Sequence, residues 1–288
     1  MKNKMDANKE RMYQDVDFLT SLRPYRNYNN LDSLEQVCDY IKNEYDKLGW
    51  SSQEQTWEAE GKEYKNIITS YNKQKSKRLI IGAHYDVCGD QPGADDNASA
   101  VAGLLETARL FAASQPKLDY RVDFVAYCLE EPPFFGTEWM GSYVHAKSLH
   151  EQNIDVIGMI CYEMIGYYCK RQPYPSPLMA LKYPWKGNFI MVVGVQEHEE
   201  FNKKVYKLMS KGSKIKVQKI SDPRVKELAG LSDQRNYWKF GFPALMINDT
   251  SFIRNPNYHL KTDTIDTLDF AKMKEVVNST YRAVTHII

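Results

Sequence analysis

The sequence predicts an α/β fold, a three-layer sandwich in which helices cover both faces of a central, mostly parallel sheet, and three observations predict it. Strand-like and helix-like stretches alternate along most of the chain, the pattern that lays strands side by side with helices as crossovers. Two of the strand-like runs, 122–129 and 156–162, are almost continuously apolar, as strands covered on both faces are. Clusters of acids and histidine follow directly on the apolar runs, and open α/β sheets build their sites at the carboxyl ends of strands.

The 288 residues exceed the usual single-domain length, but α/β folds of this size often share one core. The chain is read as one domain, 1–288, with 1–30 as an N-terminal helical extension and 166–187 as a long loop insertion. The 38 basic and 37 acidic residues are intermixed, for a net charge of +1. Neither a basic stripe for nucleic acid nor a basic amphipathic membrane anchor is present. The cysteines, Cys38, Cys88, Cys128, Cys161 and Cys169, are odd in number and lack CxxC spacing, which argues against a disulfide framework or a thiolate zinc site and for buried free thiols. The opening nineteen residues are charged throughout and lack the apolar run of a secretory signal. A soluble protein is expected, cytoplasmic as the chain stands, and secreted or periplasmic if a leader has been trimmed away.

In chain order, residues 8–22 suggest a short surface helix. Asp32 and Glu35 suggest a capping pair for a helix whose face is Leu34, Val37, Cys38, Ile41, Tyr45 and Leu48, stopping at Gly49. Strands are expected near 64–71 and 78–83, then a helix over 98–113, a strand over 122–129, a helix over 138–150 and a strand over 156–162. The stretch 166–187, rich in Tyr, Pro and Lys, is a long loop, and such loops are usually functional or mobile. Beyond it lie strands near 189–195, 214–220 and 243–247, helices near 198–211 and 233–240, and a terminal helix from about 269.

The stretch Gly82 to Ser99 places His84, Asp86, Asp90, Asp95 and Asp96 in a turn-rich loop between a buried strand and a helix. Glu130 and Glu131 close the next strand and Glu163 the one after. Two glutamates at the end of a buried strand are costly unless coordinated or hydrogen-bonded. Imidazole and carboxylate together suit a hard or borderline divalent ion, zinc among them. The candidate ligands are His84, Asp96, Glu131, Glu163 and His259.

The motifs AHYD (83–86), PGADDNAS (92–99), LEEPPFFGTEWMGS (129–142), YEMIGYY (162–168), SDQRNYW (232–238) and NPNYHLKTDT (255–264) resemble those of the M28 zinc aminopeptidases, in order and from about Asn66 to Phe270. The resemblance implies a zinc-exopeptidase, phosphorylase/hydrolase-like sandwich with a mixed sheet and two Zn2+ per chain. It implies that His84 and Glu163 hold one zinc, Glu131 and His259 the other, and that Asp96 bridges them. Glu130 corresponds to the general base and Asp86 to the carboxylate orienting the first histidine, as ligating imidazoles usually require. Tyr258 resembles a tyrosine that hydrogen-bonds the developing oxyanion in some members. Two departures stand out: Glu163 where many relatives have Asp, and Gln234 where His is common after Ser-Asp.

The implied activity is hydrolysis of the N-terminal residue of peptides with a free terminus. A glutaminyl cyclase, a single-zinc acyltransferase on the same fold, is the alternative, and a non-catalytic relative a third. Phe134, Phe135, Tyr167 and Tyr168 are candidate walls for a side-chain pocket.

Overall fold

A computed structural model describes residues 6–223 and 226–288, so residues 1–5 of the predicted extension lie outside the described residues. The elements in chain order are α1 (Lys9–Ser21), α2 (Leu31–Asp46), β1 (Gln53–Ala59), β2 (Lys62–Tyr71), β3 (Arg78–His84), α3 (Ala100–Ser114), β4 (Arg121–Tyr127), α4 (Gly141–Glu151), β5 (Val156–Glu163) and α5 (Pro177–Lys182). They continue with β6 (Phe189–Gly194), α6 (Glu199–Ser210), β7 (Lys216–Ile220), α7 (Lys226–Ala229), α8 (Gln234–Lys239), β8 (Ala244–Asn248), α9 (Ser251–Arg254) and α10 (Phe270–Val284). The eight strands form one sheet in the order β1-β2-β4-β3-β5-β8-β6-β7. The central strands β4, β3, β5 and β8 run parallel, while β2 joins β4 and β6 joins β8 antiparallel. The sheet is therefore mixed, with a parallel centre.

Apolar residues of the central strands alternate between two cores, as a side-chain period of two requires. Ile81, Phe124, Ile160 and Leu245 face one core, shared with α1, α2, α3, α6 and α10. Ile80, Val125, Met159 and Met246 face the other, shared with α4 and α8. Two-sided burial explains the unbroken apolar runs. No helix among the described residues is long and apolar enough to cross a membrane.

Five expectations change. Helix α1 is not a surface helix: Met12, Val16 and Leu19 are fully buried in the larger core. Strand β1 was invisible because QEQTWEA reads as a polar segment, yet it pairs along its whole length with β2 as an edge strand. Helix α2 begins at Leu31 behind Asn30, with no side-chain cap bond; Asp32 lies in its first turn, where its charge suits the helix dipole. Helix α4 starts at Gly141 rather than 138, because 129–140 is taken up by turns around Pro132 and Pro133. Of the five free cysteines, Cys38, Cys128 and Cys161 are buried, but Cys88 and Cys169 are only partly so.

Candidate metal centre

The parallel strands deliver the predicted residues to one edge of the sheet. His84 is the last residue of β3 and lies in register with Tyr127 at the end of β4; Glu163 ends β5 beside Asn248 of β8. After β4 the chain passes through Leu129, which has φ +62, and reverses so that the N–H groups of Glu130 and Glu131 donate to the two oxygens of Asp86 at 3.2 and 3.1 Å. Asp96 sits at a kink, with the non-helical angles φ −105 and ψ 90, in the stretch Ala94–Ser99 that leads into α3. A Cβ at Gly93, where φ is +59, would lie 2.3 Å from the Asp96 carbonyl oxygen, so this turn needs glycine. His259, also at positive φ, comes from the loop between α9 and α10. Such conformations are costly for non-glycine residues and concentrate at functional sites.

All five candidate ligands meet. His84 Nε2 is 3.4 Å from Asp96 Oδ1 and 3.4 Å from Glu163 Oε2. On the other side of the same carboxylate, His259 Nε2 is 3.1 Å from Asp96 Oδ2 and 3.3 Å from Glu131 Oε2. Donors about 2.0 Å from a tetrahedral ion stand roughly 3.3 Å apart, so both halves have the spacing of a ligand set. Glu130 Oε2 lies 3.7 Å from His84 Nε2. Asp86 serves the site mainly through the two glutamate N–H groups; its Oδ1 is 3.5 Å from His84 Nδ1, while its carbonyl oxygen is 3.2 Å from that nitrogen.

The electrostatics call for a cation. Asp96, Glu130, Glu131 and Glu163 are all at least nine-tenths buried, and among the described residues no Lys or Arg pairs with them. Burial together with the Asp96 charge pushes Glu131 up to about 8, and burial raises Glu130 well above the carboxylate range. Burial would lower the imidazoles, but the charges of Glu163 and Glu130 raise His84 well above its ordinary value, and Asp96 and Glu131 raise His259 to about 10. Burial would likewise raise Asp96, but the bonds from His259 and His84 outweigh it and hold Asp96 below the usual range. The buried Glu131 Oε1 has no hydrogen-bond partner among the described residues. A divalent cation fits the donor set and would replace the protons this cluster otherwise retains.

Several supports went unread in the sequence. Ser232 Oγ donates to Glu163 Oε2 at 2.6 Å and Asn97 Nδ2 to the same oxygen at 3.4 Å. Asp263 accepts from the N–H groups of Asp95 and Asp96. Arg26, fully buried, donates to the carbonyls of Leu19, Tyr85, Pro92 and Gly93, pinning both ends of the loop between β3 and α3. Its partners lie as many as 67 residues away, so no local pattern could announce them.

Beside the acids opens an apolar cavity of about 290 Å³, lined by Met179, Met191, Met246, Leu228 and Ile253 among others, with Phe135 and Tyr258 also in its wall. Of the aromatics expected there, only Phe135 lines it. Phe134 is core, packed on Tyr28, Tyr64 and Trp139, Tyr168 packs against the larger core, and Tyr167 lies outside the lining. The 166–187 segment contributes Met179 from α5 and is tied to the rim by Gln172, which bonds Thr250 and Arg254. Gln234 turns away from the acids to donate to the Ala229 carbonyl. Tyr258 stacks on His259 with ring centroids 3.8 Å apart.

Residues 66–284 match the peptidase family M28 pattern. The protein YfbL of Escherichia coli, described as uncharacterized, is 41% identical over 283 residues, covering 94% of this chain and 86% of its own. Leucine aminopeptidase 1 of Fusarium vanettenii is 24% identical, covering 94% of this chain and 68% of its own length. Among solved structures, the LapA aminopeptidase of Legionella pneumophila superposes with TM-score 0.77 at 21% identity, covering 97% of this chain and 72% of that one. A glutaminyl cyclase of Bacteroides thetaiotaomicron gives TM-score 0.72 at 21% identity, covering 99% of both chains. These two likenesses show the shared fold.

Proposed function

The chain belongs to peptidase family M28, and from that premise we propose that it is a metal-dependent aminopeptidase that removes the N-terminal residue of peptides at a two-zinc centre. The observation that carries the reading is Asp96, whose two oxygens each face a separate imidazole–carboxylate pair, His84 with Glu163 and His259 with Glu131. A single tetrahedral ion has no use for five such donors. Zinc held there would supply Lewis acidity toward the scissile carbonyl and a lowered pKa for the attacking water.

The chain's own groups divide the remaining work. Glu130, its backbone fixed by Asp86, accepts the water's proton on its carboxylate and passes it to the leaving amine. Tyr258, stacked on His259 at the cavity wall, donates a hydroxyl hydrogen bond to the oxyanion as it develops and keeps its proton. The carboxylates hold the free α-amine, and the adjoining cavity takes the first side chain.

Mass spectrometry of one peptide with and without an N-acetyl cap tests the exopeptidase reading: the free form loses single residues and the capped form stays intact. Equal cleavage of both would end it. A peptide beginning with Gln that lost ammonia without shortening would establish the cyclase instead. Glu130→Gln should retain its metal and lose at least ~100-fold in turnover, as read by kinetics beside elemental analysis; near-normal kcat would remove Glu130 from the base's role.

A further inference from the structure

Cys88 has no place in the ligand set taken from the family, yet it stands at one half of the centre. Its Sγ, a Glu131 carboxylate oxygen and a His259 ring nitrogen lie within 4.8 Å of one another. The neighbouring Glu131 is 4% exposed, and its Oε1 has no hydrogen-bond partner among the described residues. A buried acceptor left without a partner points to a missing ligand between these groups. The half formed by His84, Asp96 and Glu163 draws on nitrogen and oxygen donors alone.

We propose that Cys88 Sγ is a protein donor to the metal on the Glu131–His259 side, an inference that rests on the centre holding metal. With Asp96 Oδ2, that side then has four protein donors and the His84 side three. Four protein ligands close a tetrahedral zinc site, whereas three leave a position open. The two halves thereby become unequal, with the open position beside His84 and Glu163. Sulfur further selects zinc over magnesium or manganese on its own side. In a tetrahedral site sulfur stands about 3.5 Å from nitrogen or oxygen donors. The 4.8 Å bound exceeds this by about 1.3 Å, a shift within reach of a side-chain rotation beside Gly89, a left-handed residue with open space around its Cα. Binding breaks the S–H bond, releases the proton to solvent and forms the sulfur–metal bond; no electrons change hands.

Cobalt(II) loaded in place of zinc separates the two claims, because ligand-field bands in the visible report metal held by any donors, while a thiolate-to-cobalt charge-transfer band in the near ultraviolet reports sulfur. The expected result is both sets of bands in the wild-type protein, loss of only the charge-transfer band in Cys88→Ser, and its retention in Cys161→Ser, which changes the thiol that lies 3.4 Å from Ser232 Oγ. Cobalt bound without a charge-transfer band, or a band that survives in Cys88→Ser, overturns the proposal and leaves the metal reading intact. Failure to bind cobalt overturns both. A second measurement needs no variant: Cys88 should be alkylated by N-ethylmaleimide in the metal-free protein and protected in the zinc-loaded one, as read by peptide mass spectrometry. Equal labelling in the two forms counts against sulfur ligation.

Discussion

Two of the regions where buried carboxylates crowd together among the described residues treat them differently. Where α1, α2 and α3 meet, Asp15, Glu44 and Glu106 surround two guanidinium groups: Arg109 binds Asp15 at 2.6 and 2.8 Å and Glu44 at 2.5 Å, and Arg11 grips Glu106 with two nitrogens. Tyr40 and the Asn8 N–H complete the shell. At the metal centre, Asp96, Glu130, Glu131 and Glu163 have no guanidinium or ammonium partner among the described residues, only the two imidazoles and, on Glu163, the neutral donors Ser232 and Asn97. Burial of acids alone does not mark a functional site. What marks it is the lack of a Lys or Arg partner among the described residues: the acids are matched only by titratable imidazoles and retained protons, which a cation from solution can replace.

That contrast can be broken by experiment. Chelation should abolish turnover and lower thermal stability, since a metal at about 1,000 times its Kd stabilises the folded state by ~4 kcal/mol; zinc should restore both. An unchanged melting temperature with full activity after exhaustive chelation would mean that the strand-end acids are balanced without an ion. Arg109→Met should destabilise the fold by ~3–5 kcal/mol through the acids it strands, by the same amount with and without metal, and leave zinc content unchanged. A metal-dependent loss in urea denaturation would show that the two clusters are coupled.

The smallest effect concerns Glu131. Its folded pKa of about 8 lies above the ordinary 4.5, so the metal-free protein binds the extra proton when folded, and its stability falls as pH rises from about 4.5 through 8. Glu131→Gln should flatten that fall, stabilising the metal-free form by ~1–3 kcal/mol at the alkaline end, while weakening retention of metal. Calorimetry across the pH range would read it, and an unchanged slope would place the cause in another group.

Much of this was legible because the chemistry sits on strand ends. His84, Glu130, Glu131 and Glu163 each follow a run whose apolar character already implied burial, so a charge there had to be explained. Asp96 and His259 lie on loops and were recognisable only through their motifs. What stayed hidden depends on contacts across the chain: Ser232 on Glu163, Asp263 on the Asp96 turn, and a cavity wall assembled from β6, β8, α5 and α7. The reversals at Leu129, Met164 and His259 use positive φ at residues other than glycine, which no propensity scale would place there. Helix α1 was misjudged because Glu10, Arg11 and Asp15 look solvated, although two of them belong to the ion-pair cluster that buries the helix.

Arg26 carries a consequence for where this enzyme can be divided. The family pattern begins at residue 66, but the guanidinium that clasps the carbonyls of Tyr85, Pro92 and Gly93 is supplied forty residues earlier. A fragment cut at the start of the pattern would keep every candidate ligand and lose the clasp that shapes their loop, together with the α1 and α2 faces of the larger core. The stretch the family pattern covers is thus smaller than the stretch that folds, and grafting this centre onto another protein would require carrying its opening segment along.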